Sequence, residues 1–229
     1  MKKGETINII GYSGSHMSLI FETLHKSGFQ GFVRIIKHDS SNYFDAPFES
    51  GIDFEVVEQK NHDEVPEGSF FFCSNKPENK LFLYSFFKKK WRIEEKDFTN
   101  VIHPSSVIAS SVNFGSGLYI EPLTVVSPYT KIGFGVSINR HCSIGHHNTL
   151  HDFCSIYPGS HLTGDVEIGR AATIGPGSIV FSGVRIGNNS AIGGGSVVTK
   201  DIPENVLAYG NPCRVIKEIY VDLNQTKII

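Results

Sequence analysis

The stretch of sequence that decides the fold lies between Ile138 and Ile174 and reads INRHCSIGHHNTLHDFCSIYPGSHLTGDVEIGRAATI. Every sixth residue in it is aliphatic. Stepping by six in both directions extends the pattern from Ile102 to Val198, and all 17 positions hold an aliphatic residue or Phe. A period of six fits neither an α-helix nor the simple alternation of a strand. It indicates a short strand followed by a sharp turn, many times repeated.

The repeat predicts a three-sided column. Three strands and three turns make one coil of 18 residues, and coils stack at about 4.8 Å, the spacing of hydrogen-bonded strands. Residues 18 apart should therefore lie one above another. The sixteen steps of six from Ile102 to Val198 predict a parallel β-helix of about five coils.

Residues 1–98 carry no such repeat and predict a separate α/β domain of the βαβ, Rossmann-like kind. A short buried strand at Ile7–Ile10 leads through the turn GYSGS into an amphipathic helix that starts near Ser15, and FVRII forms a second strand. Backbone N–H groups at such a strand-to-helix turn can cradle a phosphate. GYSGS is not the GxGxxG of dinucleotide sites, so an ordinary tight turn is the alternative.

A second buried strand in this domain ends at Cys73, and Ser74 and Asn75 precede a helix that begins around Pro77. The sequence thus divides into a domain of residues 1–98, with two strand-to-helix turns, and a β-helix domain of residues 99–229.

The net charge, the lack of long apolar runs and the cysteine spacing argue against several classes of partner and location. The net charge is −2, which argues against nucleic acid or an anionic membrane as partner. No apolar run approaches the roughly 20 residues of a membrane helix, and the start MKKGETINIIG lacks the features of a secretory signal. The four cysteines have no CxxC spacing, which favours reduced core residues in a cytoplasmic protein.

Several segments together resemble one family. The turn GYSGS, the strand FFFCSN, the segment VIHPSSVIA, the repeat, and the tail SVVTKDIPENVLAYGNPCRVIKE are similar to the sugar O-acyltransferase family of the sialic-acid O-acetyltransferase type. Its relatives include nucleotide-sugar N-acetyltransferases of the bacillosamine and perosamine pathways. The resemblance implies a left-handed β-helix, acetyl-CoA as donor, a nucleotide-sugar held by the first domain, and a homotrimer with active sites between subunits. The handedness rests on the resemblance alone, because strand crossovers are normally right-handed.

The resemblance also implies a catalytic base. Acetyl transfer needs a base for the proton of the nucleophile and a donor for the developing oxyanion. The step Ile144-Gly145-His146-His147 matches the family pattern and makes His146 the base. The family places Asp or Glu directly after the base, where this chain has His147.

Coil arithmetic adds two residues to this site. Asp165 lies 18 residues after His147, and we expect it to contact His147 or His146 and restore the missing charge. Gly164 lies 18 residues after His146, and its family counterpart donates a backbone N–H to the acetyl carbonyl.

Other site residues are carried over from the family. For CoA they are Ser155, Gly164, Pro176 and Gly194. The basic tail residues Lys200 and Arg214 are added because their charge suits the CoA phosphates, with simple solvation as the alternative for both. For the nucleotide-sugar they are Ser13, Gly14, Ser15, Asp39, Ser74 and Asn75. Two positions depart from the pattern, since Ser155 and Ser15 stand where relatives have histidine.

The favoured function is an acetyl-CoA-dependent N-acetyltransferase of a nucleotide-linked amino sugar in surface-glycan biosynthesis, with direct attack on the thioester. O-acetylation of a sialic acid or another sugar hydroxyl, and a non-catalytic scaffold, are the alternatives. The spacing of His146 and His151 also resembles the zinc motif of γ-class carbonic anhydrases. The third ligand would come from two coils earlier, where Ser110 stands, so no metal is expected.

Overall fold

The computed structural model describes residues 4–38, 51–61 and 63–220. The chain divides into two compact units between Val101 and Ile102, just beyond the predicted boundary after residue 98.

The first unit is built on a four-stranded parallel sheet. Its strands are β1 (Thr6–Ile10), β2 (Phe32–Lys37), β3 (Phe54–Glu58) and β4 (Ser69–Phe72), in the order β3-β2-β1-β4. Helices α1 (Gly14–Lys26) and α2 (Pro77–Trp91) follow β1 and β4, and two short 3₁₀ turns cover Gln59–Asn61 and Glu95–Asp97. Because the strands are parallel, both helices begin at the same edge of the sheet, where a ligand site is expected.

Burial explains which elements of this unit the sequence revealed. Ile7, Ile9 and Ile10 of β1 are fully buried, which produces the continuous apolar run typical of a parallel strand covered on both faces. The edge strand β3 was missed because its side chains are exposed or half-buried, so no apolar run marks it.

The second unit is a column of 17 two-residue strands in which every third strand belongs to the same sheet. These strands are β5 (Val101–Ile102), β6 (Val107–Ile108), β7 (Asn113–Phe114), β8 (Tyr119–Ile120), β9 (Val125–Val126), β10 (Lys131–Ile132), β11 (Ser137–Ile138), β12 (Ser143–Ile144), β13 (Thr149–Leu150), β14 (Ser155–Ile156), β15 (His161–Leu162), β16 (Glu167–Ile168), β17 (Thr173–Ile174), β18 (Ile179–Val180), β19 (Arg185–Ile186), β20 (Ala191–Ile192) and β21 (Val197–Val198).

The strand register confirms the predicted coil of 18 residues. Ser137 pairs with Ser155, Ser143 with His161 and Thr149 with Glu167, one pair from each of the three sheets. From Ile120 to Val198 every aliphatic residue of the repeat is buried and forms the core of the column.

The first three repeat positions are less buried than the pattern predicts. Ile102 and Ile108 are only partly buried, and Phe114 is 41% exposed. These residues belong to the first coil, whose strands pair with a later coil of the column and with no earlier one among the described residues.

The column ends in a different arrangement. Strand β22 (Val206–Gly210) continues one sheet in parallel beside β20, and β23 (Cys213–Glu218) pairs with β22 in antiparallel fashion. All four cysteines are free and buried. Within the described ranges, no helix has the length and apolarity to cross a bilayer.

Candidate active site

The two histidines at the centre of the prediction occupy one corner of the column. His146 and His147 lie in the turn after β12, and Gly164 and Asp165 lie one coil above in the turn after β15. The Asp165 N–H donates to the His146 carbonyl at 2.9 Å, which fixes the stack that the coil arithmetic predicts. His147 and Asp165 share a left-handed backbone, with φ of 56° and 61°, so the two turns have the same shape.

Gly164 lies directly against the imidazole of His146. A Cβ at this position would come 2.5 Å from Cε1 of His146 and 2.7 Å from Nε2, so the ring needs a glycine here. Among the described residues none accepts a hydrogen bond from the Gly164 N–H. Pro128 lies two coils below Gly164 in the same stack of turns. Proline has no backbone N–H, so the column does not need a hydrogen bond from this position. A free donor therefore lies beside the predicted base.

The two imidazoles are joined by a short hydrogen bond. Nδ1 of His146 and Nδ1 of His147 are 3.0 Å apart, so one of them donates to the other. Tyr129, one coil below, packs against the His147 ring with 4.9 Å between centroids. His146 can accept a proton at Nε2 only if its own proton is on Nδ1, which makes His147 the acceptor in this bond. The sequence did not reveal this contact, because the repeat fixes where turns lie and not where their side chains point.

Asp165 completes a compact group of polar atoms. One ring nitrogen of His146, one of His147 and one carboxylate oxygen of Asp165 all lie within 4.8 Å of one another, and the three residues are exposed. The described residues show no hydrogen bond or ion pair from the Asp165 carboxylate to either ring. The predicted contact of Asp165 with His147 or His146 stays a prediction.

The residues predicted to contact CoA do not lie at this corner as a group. Pro176 and Gly194 are exposed on another corner, after β17 and β20, where a Cβ on Gly194 would be 3.1 Å from the Pro176 carbonyl oxygen. Lys200 is exposed in the turn after β21, in the same stack as His146.

Two further CoA candidates are less available. Ser155 is fully buried in β14. Arg214 is exposed in β23, and its guanidinium donates to the carbonyl of Cys213 at 2.8 Å.

In the first unit, the two strand-to-helix turns predicted to hold the nucleotide-sugar are adjacent. Ser13 lies at the N-cap position of α1 and makes no side-chain capping bond. Its carbonyl accepts a weak hydrogen bond from the Cys73 thiol at 3.9 Å, and Cys73 directly precedes Ser74 and Asn75. Gly14 is buried, Ser15 is exposed, and their turn carries hydroxyls at Ser13 and Ser15 that are 3.5 Å apart. Asp39 lies outside the described residues.

Two basic side chains near these turns were missed from the sequence. Lys80 on α2 is only 1% exposed, and His16 on α1 has a buried Nε2. Burial and the Lys80 ammonium lower the pKa of His16 to about 4, so this imidazole is neutral at physiological pH. A buried lysine is rare unless its charge has a role, but nothing in the sequence distinguishes Lys80 from the other lysines of α2.

The histidine pair of the carbonic-anhydrase alternative is not brought together. His151 lies on a third corner, where its Nε2 pairs with a Glu167 carboxylate oxygen at 2.9 Å, and Glu167 also contacts Arg185 at 3.4 Å. These residues line an open groove of about 660 Å³. His146 and His151 thus face different sides of the column.

Comparisons with solved structures show which known proteins have a similar architecture. The acetyltransferase domain of PglB from Neisseria gonorrhoeae FA1090, solved with acetyl coenzyme A, has a TM-score of 0.77 at 22% identity, over 93% of this chain and all of that one. A mutant of perosamine N-acetyltransferase from Caulobacter crescentus, solved with CoA and GDP-perosamine, has a TM-score of 0.72 at 24% identity, over 94% and 98%. The chain shares the fold of these two acetyltransferases. The predicted α/β domain followed by a left-handed β-helix is therefore confirmed.

A sequence relative gives a second link. Galactoside O-acetyltransferase of Escherichia coli (strain K12) is 42% identical over 114 residues, which cover 48% of this chain and 55% of that protein. The chain thus spans about half the length of this curated relative. No family model matches the chain.

Proposed function

We propose that the protein is an acetyl-CoA-dependent N-acetyltransferase of a nucleotide-linked amino sugar. The observation that carries the proposal is the corner at which the exposed His146 imidazole lies against the unbonded N–H of Gly164. A base and an oxyanion donor side by side are what acyl transfer requires. Whole-chain similarity to sugar-nucleotide N-acetyltransferases supports the donor and the class of acceptor.

The proposed reaction is a direct transfer. The acceptor amine attacks the thioester carbonyl and forms the C–N bond, while Nε2 of His146 takes the amine proton. The Gly164 N–H donates to the carbonyl oxygen as it gains charge. The C–S bond then breaks, and CoA leaves as a thiolate that His146 can protonate.

His147 and Asp165 are proposed to position the base. If Nδ1 of His147 accepts the hydrogen bond, the His146 proton stays on Nδ1 of His146. The lone pair on Nε2 of His146 is then available to the amine of the sugar substrate. The His147 proton is then on Nε2, and the nearby Asp165 carboxylate favours the positive charge that His146 gains. We expect Asp165→Asn to lower the rate and alter its pH dependence, and an unchanged rate and pH profile would remove Asp165 from the mechanism.

The active site is proposed to need a second copy of the chain. His146 and the Pro176–Gly194 pair lie on different corners of one column, so a CoA that reaches both must lie between subunits. The face formed by β6, β9, β12, β15, β18 and β21 also exposes Val107 and Val125, at 64% and 43%. An exposed apolar face of this kind suits a subunit interface, and light scattering is expected to show a homotrimer. A cytoplasmic location fits the four free cysteines.

One observation favours a second candidate, O-acetylation. The relative of 42% identity is a galactoside O-acetyltransferase, and the matching part of this chain would then serve a sugar hydroxyl. The same base and the same donor apply, because His146 can take a proton from a hydroxyl as well.

The test is a release assay for CoA thiol with acetyl-CoA and candidate acceptors. The acceptors are chosen by a thermal-shift panel of UDP-, GDP-, CMP- and dTDP-sugars, since a ligand that binds the folded state raises the melting temperature. We expect His146→Asn to lower kcat by about 10²–10⁴-fold, the usual contribution of a general base. The control is His141→Asn, the same substitution at an exposed turn histidine on another corner. Equal activity of His146→Asn and wild type would remove His146 as the base, and a wild type that releases no CoA thiol with any acceptor would leave a non-catalytic scaffold as the function.

A further inference from the structure

We propose that His146, His147 and Asp165 form a binding site for Zn²⁺ or a similar first-row divalent cation, and that the bound ion switches off His146 as a base. Metal binding stands on the geometry alone, and only the inhibition rests on the proposed function. This ligand set differs from the carbonic-anhydrase pattern, because it contains no contribution from His151.

The distance between the rings already matches a shared metal ion. The two Nδ1 atoms are 3.0 Å apart and face each other. Two nitrogens bound to zinc at about 2.0–2.1 Å are about 3.3 Å apart in a tetrahedral site and about 2.9 Å apart in an octahedral one. A metal ion bound to both atoms lies off the line that joins them, so each ring must turn by roughly 35–45° to direct its Nδ1 lone pair at the ion, while the distance between the two nitrogens changes little.

Asp165 supplies the third ligand. One of its carboxylate oxygens lies within 4.8 Å of a ring nitrogen of each histidine, so a rotation of the exposed side chain can bring it to the ion. The carboxylate makes no hydrogen bond or ion pair with the rings in the described residues, so no such contact has to be broken. The remaining coordination positions face water, because all three residues are exposed.

The donor set selects the type of metal. Two imidazole nitrogens and one carboxylate suit Zn²⁺, Ni²⁺ and Cu²⁺, whereas Mg²⁺ and Ca²⁺ prefer oxygen ligands. Packing on one side keeps the two rings close together and leaves each free to turn toward solvent, since Gly164 lies against the His146 ring and Tyr129 against that of His147. A ligand pair held in advance loses little conformational freedom when the ion binds.

Metal binding changes the tautomer of His146. Catalysis requires the proton on Nδ1 and a free lone pair on Nε2. A metal at Nδ1 leaves the single proton of the neutral ring on Nε2. This atom can then no longer take the proton of the substrate amine. The ion therefore inhibits by blocking the base.

The test is calorimetric titration of the full chain with Zn²⁺, compared with Mg²⁺. We expect one Zn²⁺ per chain, no binding of Mg²⁺, and a loss of Zn²⁺ affinity of tenfold or more in both His147→Gln and Asp165→Asn. His141→Gln is the matched control, because His141 is an exposed turn histidine with φ of 58° against 56° for His147, so both variants place Gln in the same backbone conformation. An unchanged affinity in His147→Gln, or an equal loss in His141→Gln, would overturn the proposal.

A second measurement reads the tautomer directly. In ¹⁵N NMR of the histidine rings, Zn²⁺ should move the His146 proton to Nε2, and a spectrum in which His146 does not respond would contradict the site. Failure of the proposed function is distinguishable, since Zn²⁺ would then bind as expected to a chain that transfers no acetyl group. Conversely, an active enzyme that His146→Asn inactivates, but that binds no Zn²⁺, would refute only the metal site.

Discussion

The contact between Gly164 and His146 gives the sharpest prediction. Replacing Gly164 by alanine adds a Cβ that would lie 2.5 Å from Cε1 of His146. Carbon atoms pack at about 3.5 Å or more, so the ring must retreat by about 1 Å. The backbone of Gly164 does not lie in the left-handed region, and the exposed ring has room to move, so Gly164→Ala should fold normally.

The expected effect is on catalysis and not on stability. The alanine keeps the backbone N–H, so the oxyanion donor remains and only the base is displaced. A displacement of about 1 Å at a reacting group can lower a rate by about 10²-fold. We therefore expect kcat for CoA thiol release to fall about 100-fold in Gly164→Ala, with little change in the melting temperature.

A matched control comes from Gly51. A Cβ there meets its nearest neighbour, Nδ1 of His25, at 3.6 Å, an ordinary contact distance, so Gly51→Ala should keep full activity. If Gly164→Ala retained kcat within a factor of about three of the wild type, the imidazole would not need its place beside Gly164. The reasoning that makes this corner the active site would then fail.

Three further predictions concern the folded state. The pKa of His16 is lowered from 6.5 to about 4 in the folded chain, so between these pH values the unfolded chain binds a proton that the folded chain does not. The free energy of unfolding should therefore fall as the pH is lowered from 6.5 toward 4. Urea titrations should show a flatter pH dependence in His16→Gln, and an equal slope would contradict this. Burial raises the pKa of the Cys73 thiol to about 12, so iodoacetamide at pH 8 should label Cys73 only after unfolding, and rapid labelling of the native chain would be inconsistent with its burial. Ile156 is 0% exposed, so Ile156→Ala should cost about 2–5 kcal/mol in urea unfolding. Val65→Ala, at a 50% exposed position, should change stability by less than about 0.5 kcal/mol, and similar losses in both would refute the assigned core.

The column could be predicted almost residue by residue, because one physical requirement repeats along it. Each coil must bury an aliphatic side chain on every face, so Ile144, Leu150 and Ile156 mark three faces and three strands. The stack of Asp165 over His147 followed from the same arithmetic. The α/β domain was predicted where strands are buried on both faces, as at Ile7–Ile10, and not at the exposed strand β3.

The parts that the sequence did not reveal depend on side-chain orientation and on distant neighbours. The hydrogen bond between His146 and His147 depends on two rotamers that no repeat specifies. The burial of Lys80 beside His16 depends on how α1 and α2 pack, which a periodicity within either helix does not report.

The unbroken register of the column also limits how such a sequence can evolve. His146 meets Gly164 because 18 positions, one full circuit, separate them along the chain. Adding or deleting a single residue between the two would shift the register of the following coils by one residue, and the glycine would no longer lie against the imidazole. Insertions of whole 18-residue coils elsewhere would lengthen the column and leave the contact between Gly164 and His146 unchanged. The contact therefore depends on the spacing of the two residues as much as on their identity.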